Sequence, residues 1–127
     1  MGQLLLEQRL TPNLMISSTA KRARKTAEKV AETCQYAGEI SFTDDLYLAS
    51  PDTYLAILRD VPDEHECVMV VGHNPGMEML VNLLTDQDEV MPTAALAQVR
   101  LNVDSWNQLR ANGSGTLINL WRPKDLP

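Results

Sequence analysis

The chain has 127 residues, 44% of them hydrophobic, which fits one soluble globular domain, spanning residues 1–127, with a buried core. Its 11 basic against 17 acidic residues leave a formal charge of −6; that excludes a general nucleic-acid binder, because affinity for a phosphate backbone needs a surplus of lysine and arginine. No apolar run is long enough to span a membrane, no leader pattern opens the chain, and Cys34 and Cys67 form neither a disulfide framework nor a C-x-x-C metal pair. Both thiols sit inside apolar patterns and are expected to be free and buried, in a reducing, cytoplasmic compartment.

Met1 to Leu10, with Leu4, Leu5 and Leu6, predicts the tail of an amphipathic helix that Thr11-Pro12-Asn13 ends. Leu14 to Ser17 is a short apolar run of the buried-strand kind. A long helix follows over Ala20 to Tyr36, with Ala23, Ala27, Val30, Ala31 and Cys34 on one stripe and Gly38 as its stop. Ile40 to Phe42 predicts a brief strand. Ser50-Pro51-Asp52 then opens a helix with a cap, a first-position proline and a first-turn acid. Cys67 to Val71 is the most apolar strand in the chain. Asn74-Pro75 starts a helix whose Met77, Leu80, Val81 and Leu84 recur at helical spacing. Ala97 to Val103 and Thr116 to Trp121 alternate as strands do, and Asn112-Gly113-Ser114-Gly115 supplies a turn between them. Strands alternating with helices imply βαβ units, hence an α/β fold: a three-layer αβα sandwich around a mostly parallel sheet.

Two strand-to-helix junctions could carry chemistry. In Ser17-Ser18-Thr19-Ala20-Lys21-Arg22, Ser18 or Thr19 can cap the helix and Arg22 falls in its first turn. In Val71-Gly72-His73-Asn74-Pro75-Gly76, Asn74 can cap and His73 comes just before it. A parallel sheet puts both junctions at the carboxyl ends of the strands, where α/β folds collect ligands. A guanidinium and an imidazole meeting there suit a phosphoryl group, the first as a fixed fork and the second as a hydrogen-bond donor or proton shuttle. Each has a plainer reading. Arg22 lies in the basic run Lys21-Arg22-Ala23-Arg24-Lys25, and such runs are usually solvated helix faces. His73 could be a loop histidine bonded within its own junction. His65 reads as surface, Asp44-Asp45 and Asp86-Gln87-Asp88-Glu89 as loop charges, and no spacing calls for a metal.

These residues also carry a family resemblance. The stretch from Ser17 to Ala27 resembles the S-x-x-x-R-A-x-x-T-A element of the histidine phosphatase superfamily, which includes the phosphoglycerate mutases. Val70-Val71-Gly72-His73-Asn74-Pro75-Gly76 resembles its second-histidine motif, in the G-H-N-P form of the SixA-like branch, and Trp121 to Leu126 is similar to the tail of many small members. The resemblance implies a phosphoglycerate-mutase-like fold and cofactor-free phosphoryl transfer from a phosphorylated substrate, here a phosphohistidine-bearing protein. In that family a first histidine, in an R-H-G or R-H-A motif, attacks phosphorus. A second histidine and two arginines hold the phosphoryl oxygens, and water hydrolyses the phosphohistidine intermediate. By motif position Arg22 is the second arginine and His73 the second histidine.

One departure is serious: no R-H-G or R-H-A occurs, and His65, the other histidine, follows the arginine motif. The chain is therefore expected to be N-terminally truncated by on the order of 30 residues, lacking the first, nucleophile-bearing strand. It is expected to be inactive alone, and either poorly stable or associated to cover a mid-sheet gap. A non-catalytic phosphate-binding module that kept Arg22 and His73 is the alternative, and an unrelated α/β protein with two capped helices is a third. Asp44, Asp45 and Asp52 stay open as general acid.

Overall fold

The computed structural model describes residues 2–123 apart from 93 and 113, so Lys124 to Leu126 of the tail resemblance and Gly113 of the turn lie outside the described residues. The elements run α1 (Gly2–Glu7), β1 (Leu14–Ser18), α2 (Lys21–Thr33), β2 (Ile40–Thr43), α3 (Pro51–Arg59), β3 (Val68–Val71), α4 (Gly76–Thr85), β4 (Leu96–Leu101) and β5 (Gly115–Trp121). Short 3-10 turns follow β2 (Asp44–Leu46) and β4 (Trp106–Gln108). The fold is α/β with a mostly parallel sheet, as the alternation of elements implies. Contacts group these elements into two compact units: Met1–Tyr47 with Asp63–His73, and Leu48–Pro62 with Asn74–Pro127.

The first unit holds a parallel sheet of order β2-β1-β3. Its register is unambiguous: Ser18 stands opposite Thr43, and Ser17 opposite both Phe42 and Val71. Met15, Ile16, Ser17 and Ser18 are all buried, the near-continuous run expected of a strand covered on both faces. Helix α2 packs against this sheet through Ala23, Ala27 and Val30, small residues at spacings of four and three that let the helix approach closely. α1 lies against α2 so tightly that a Cβ at Gly2 would fall 1.6 Å from Thr33 Oγ1. The start of β3 is pinned to β1 by Asn13, whose Oδ1 accepts from the amides of Glu66 (3.1 Å) and Cys67 (2.8 Å) while its own amide donates to Cys67 O (2.7 Å).

Three local expectations change. Gly38 does not stop α2: the helix ends at Thr33, and Gln35 takes the left-handed turn at φ 62°. There the amide of Tyr36 donates to Ala31 O and that of Gln35 to Glu32 O, the paired bonds of a Schellman close. The C-cap carbonyl of Cys34 is taken by Thr11 Oγ1 at 2.9 Å, so tertiary partners set the helix length. Cys34 is buried as expected, but Cys67 is exposed, because the strand begins one residue later and leaves it in the connection. β3 itself is only half-buried before Val71, since it stands at the end of the sheet order.

In the second unit, β4 and β5 pair antiparallel, with a bulge at Gln98/Val99. α4 packs on both strands and on α3 through Leu80, Val81 and Leu84, the spacing read from the sequence. Ser50 makes no side-chain cap on α3, whereas Asn74 does accept from the amide of Glu78 (3.3 Å) in the first turn of α4. The Asn74–Pro75 peptide is cis. Among the described residues no helix is long and apolar enough to cross a membrane, and no three His, Cys, Asp or Glu side chains cluster as a metal site.

Candidate active site

Arg22, His73, Asp44 and Asp45 all fall in the first unit, after the carboxyl ends of its strands. The reason is register. β1 and β3 run parallel with Ser17 opposite Val71, so the strands run out together and the next residues, Ser18 to Arg22 and Gly72-His73, emerge at the same end. β2 ends beside them, with Thr43 opposite Ser18, and delivers Asp44 to the rim. His65 precedes β3 and therefore lies at the opposite end, where its Nε2 is 3.9 Å from Glu64 Oε1; it is half-buried rather than fully on the surface.

Arg22 is the second residue of α2 and is exposed. Its basic run is not uniform. Arg24, two residues on, lays its guanidinium over the Phe42 ring at 4.1 Å from the centroid, so it is committed to packing on β2. Arg22 makes no such commitment to a ring among the described residues.

His73 is half-buried. Its Nε2 lies 2.9 Å from Ser18 Oγ, a contact spanning 55 residues of sequence, and the Tyr47 ring meets it edge-on at 5.7 Å between centroids. Ser18 is wholly buried. It was expected to cap α2, and so was Thr19; neither does. The cap residue is Ala20, with no side-chain cap, and Ala20 N–H turns back to Ser18 Oγ at 3.2 Å. Thr19 Oγ1 instead bonds Asp44 Oδ1, and Thr43 Oγ1 accepts from the Asp45 amide at 3.1 Å. The rim thus joins an imidazole, three hydroxyls and the carboxylate of Asp44, and Arg22 stands in the first turn of the helix that leaves it. Asp52, the other acid left open, lies in the first turn of α3 in the second unit.

Sequence reasoning missed two residues here. Ser18 carried a signal, since it is the serine of the motif that ends in Arg22, but a cap was the nearer explanation. Tyr47 carried none: it closes the 3-10 turn after β2 and is 60% exposed.

No family model matches the chain, and no curated protein matches it in sequence. Solved structures do. The putative phosphohistidine phosphatase SixA from Agrobacterium tumefaciens is 28% identical, with a TM-score of 0.79, over 96% of this chain and 75% of that one. The putative phosphohistidine phosphatase SixA from Nakamurella multipartitia gives 22% and 0.82 over 96% and 77%. The protein histidine phosphatase SixA complexed with tungstate gives 23% and 0.83 over 99% and 78%. This chain has the SixA-type histidine phosphatase fold.

Proposed function

We propose that this chain supplies the phosphoryl-holding part of a phosphohistidine phosphatase, with Arg22 and His73 gripping the phosphoryl oxygens of a phosphohistidine-bearing protein. One observation carries the reading: the parallel register of β1 and β3, which ends both strands at one rim. The SixA-type fold supports the reaction class, cofactor-free hydrolysis of a phosphoryl group on nitrogen. Arg22 contributes a forked cation matched to two oxygens, and His73 contributes a ring N–H. One domain over residues 1–127, in the cytoplasm, is part of the same reading.

The 127 residues contain two histidines and no Arg-His-Gly or Arg-His-Ala. His65 is at the far end of β3, so the proposal gives it no part in the site. The chain alone is expected to bind a tetrahedral oxyanion without turning substrate over. Tungstate titration by calorimetry tests this, alongside hydrolysis of a phosphohistidine peptide. Wild type should bind, His73→Ala should bind about tenfold or more weakly, and neither should release phosphate. A wild type indifferent to tungstate, or a His73→Ala variant that binds as well, overturns the site.

The missing motif also favours a second reading, a non-catalytic phosphate-binding module. The DNA just upstream of the Met1 codon separates the two. An in-frame strand ending in Arg-His-Gly or Arg-His-Ala supports the phosphatase; a stop codon with a genuine ribosome site supports the module.

A further inference from the structure

We propose that Ser18 is the positioning residue for His73: it holds the imidazole by Nε2, places the ring proton on Nδ1, and ties the ring to the start of the helix that carries Arg22. Its purpose rests on the phosphatase reading above; its geometry does not.

The proton count decides the assignment. Ser18 is wholly buried, so its hydroxyl has to be satisfied by protein groups. A serine hydroxyl offers one donor and two acceptor sites. One acceptor site is taken by Ala20 N–H at 3.2 Å, and an amide can only donate. The remaining contact is His73 Nε2 at 2.9 Å. Were Nε2 protonated, Ser18 Oγ would receive two donors and its own proton would have no acceptor in a buried place, a costly arrangement. Ser18 O–H therefore donates to Nε2, and neutral His73 carries its proton on Nδ1. The amide of Ala20 strengthens that donation, because accepting a bond polarises the hydroxyl. Ser17 cannot substitute: its Oγ is committed to Ser18 O at 2.9 Å.

The same hydroxyl links the two halves of the proposed oxyanion grip. Ala20 is the N-cap of α2, and Arg22 follows two residues later. His73 comes from the end of β3. Ser18, at the end of the central strand, touches both the helix start and the ring, and sets the imidazole against the guanidinium's helix.

Nitrogen-15 NMR of the wild-type chain reads the tautomer directly. The expected pattern is a protonated Nδ1 and a hydrogen-bond-accepting Nε2 in neutral His73, the minority form of free imidazole; a protonated Nε2 overturns the proposal. In Ser18→Ala the ring should revert toward the Nε2–H form and tungstate binding should weaken about tenfold. Ser17→Ala, which removes an equally buried hydroxyl one residue away, should leave both readouts unchanged and so separates positioning from loss of packing. Ser18→Thr, which retains the hydroxyl, should restore the wild-type tautomer. If wild type ignores tungstate yet shows the Nδ1–H ring, the phosphatase reading fails and the positioning by Ser18 stands. If wild type binds and Ser18→Ala binds equally with an unchanged ring, Ser18 is not the positioning residue.

Discussion

Arg22 and Arg24 differ by two positions on one exposed helix, and their replacement by alanine should have opposite signatures. Arg24 stacks on Phe42 at 4.1 Å, a contact worth about 0.5–1 kcal/mol at an exposed site. Unfolding entropy of about 2.1 cal/mol/K per residue over 127 residues gives about 0.27 kcal/mol per degree, so Arg24→Ala should lower Tm by about 2–4 °C. It should leave tungstate affinity nearly untouched, because the guanidinium faces β2. Among the described residues no such ring lies beneath Arg22. Its loss should leave Tm within a degree or so and weaken tungstate binding roughly 10- to 100-fold, the range of one charge-assisted hydrogen-bonding partner. Arg22→Lys should recover only part of the loss, because an ammonium keeps the charge and not the fork. Thermal melts and calorimetric titration at fixed, low ionic strength read both quantities, and low salt avoids screening of an exposed cation. Equal weakening by the two alanines would mean that the basic run acts as a diffuse charged face, and the rim assignment of Arg22 would be refuted.

Asn13→Ala should cost about 1–2 kcal/mol, since it removes the acceptor shared by the amides of Glu66 and Cys67; a urea midpoint indistinguishable from wild type would show that water replaces the side chain there. The two thiols should separate kinetically. Cys67 is exposed and Cys34 is not, so a thiol reagent at pH 7 should label one cysteine in the native chain and two in denaturant. Desolvation raises both thiol pKa values above the ordinary value, at Cys34 by burial against smaller lowering contributions from backbone hydrogen bonds and at Cys67 by the protein around its sulfur although the residue is exposed, so even Cys67 should react more slowly than a free thiol and accelerate only as pH rises past the ordinary thiol range. Two fast labels at pH 7 would contradict the packing around Cys34.

Much of the order of elements was legible because it rests on patterns with one cause. Leu14 to Ser17 reads as a buried strand, and Ala23, Ala27, Val30, Ala31 and Cys34 read as one helical stripe, of which all but Ala31 are buried; both patterns follow from what each face must bury. What escaped depends on partners distant in sequence. Ser18 and Thr19 have the chemistry of helix caps, and a local reading has no reason to prefer an imidazole 55 residues away or a carboxylate 25 residues away. Gln35 displaces Gly38 as the helix stop because Thr11 and the close approach of α1 hold the C-cap at Cys34. Cys67 sits in an apolar stretch yet faces solvent, since Asn13 spends the amides of Glu66 and Cys67 on fixing the strand's start rather than extending it. Tyr47 illustrates the limit. Nothing local marks a tyrosine after a 3-10 turn as the neighbour of a histidine on another strand, and only the order β2-β1-β3 makes them meet.

That order also explains why the motif serine and the motif arginine are separated as they are. Ser18 is the last strand residue of β1, flanked by β2 on one side and β3 on the other. From that central position its hydroxyl reaches the histidine at the end of β3. Ala20 then turns the chain out of the sheet and Lys21 begins the helix, with Arg22 in its first turn. The three residues between Ser18 and Arg22 are, under the proposed function, the backbone spacing between the residue that orients the imidazole and the residue that shares its proposed anion. Lengthening it by one alanine after Thr19 would rotate Arg22 by about 100° around α2 while leaving Ser18 and His73 in place. Tungstate affinity should then fall as far as in Arg22→Ala, with the His73 tautomer unchanged; an insertion that leaves the affinity intact would show that the spacing serves the fold alone.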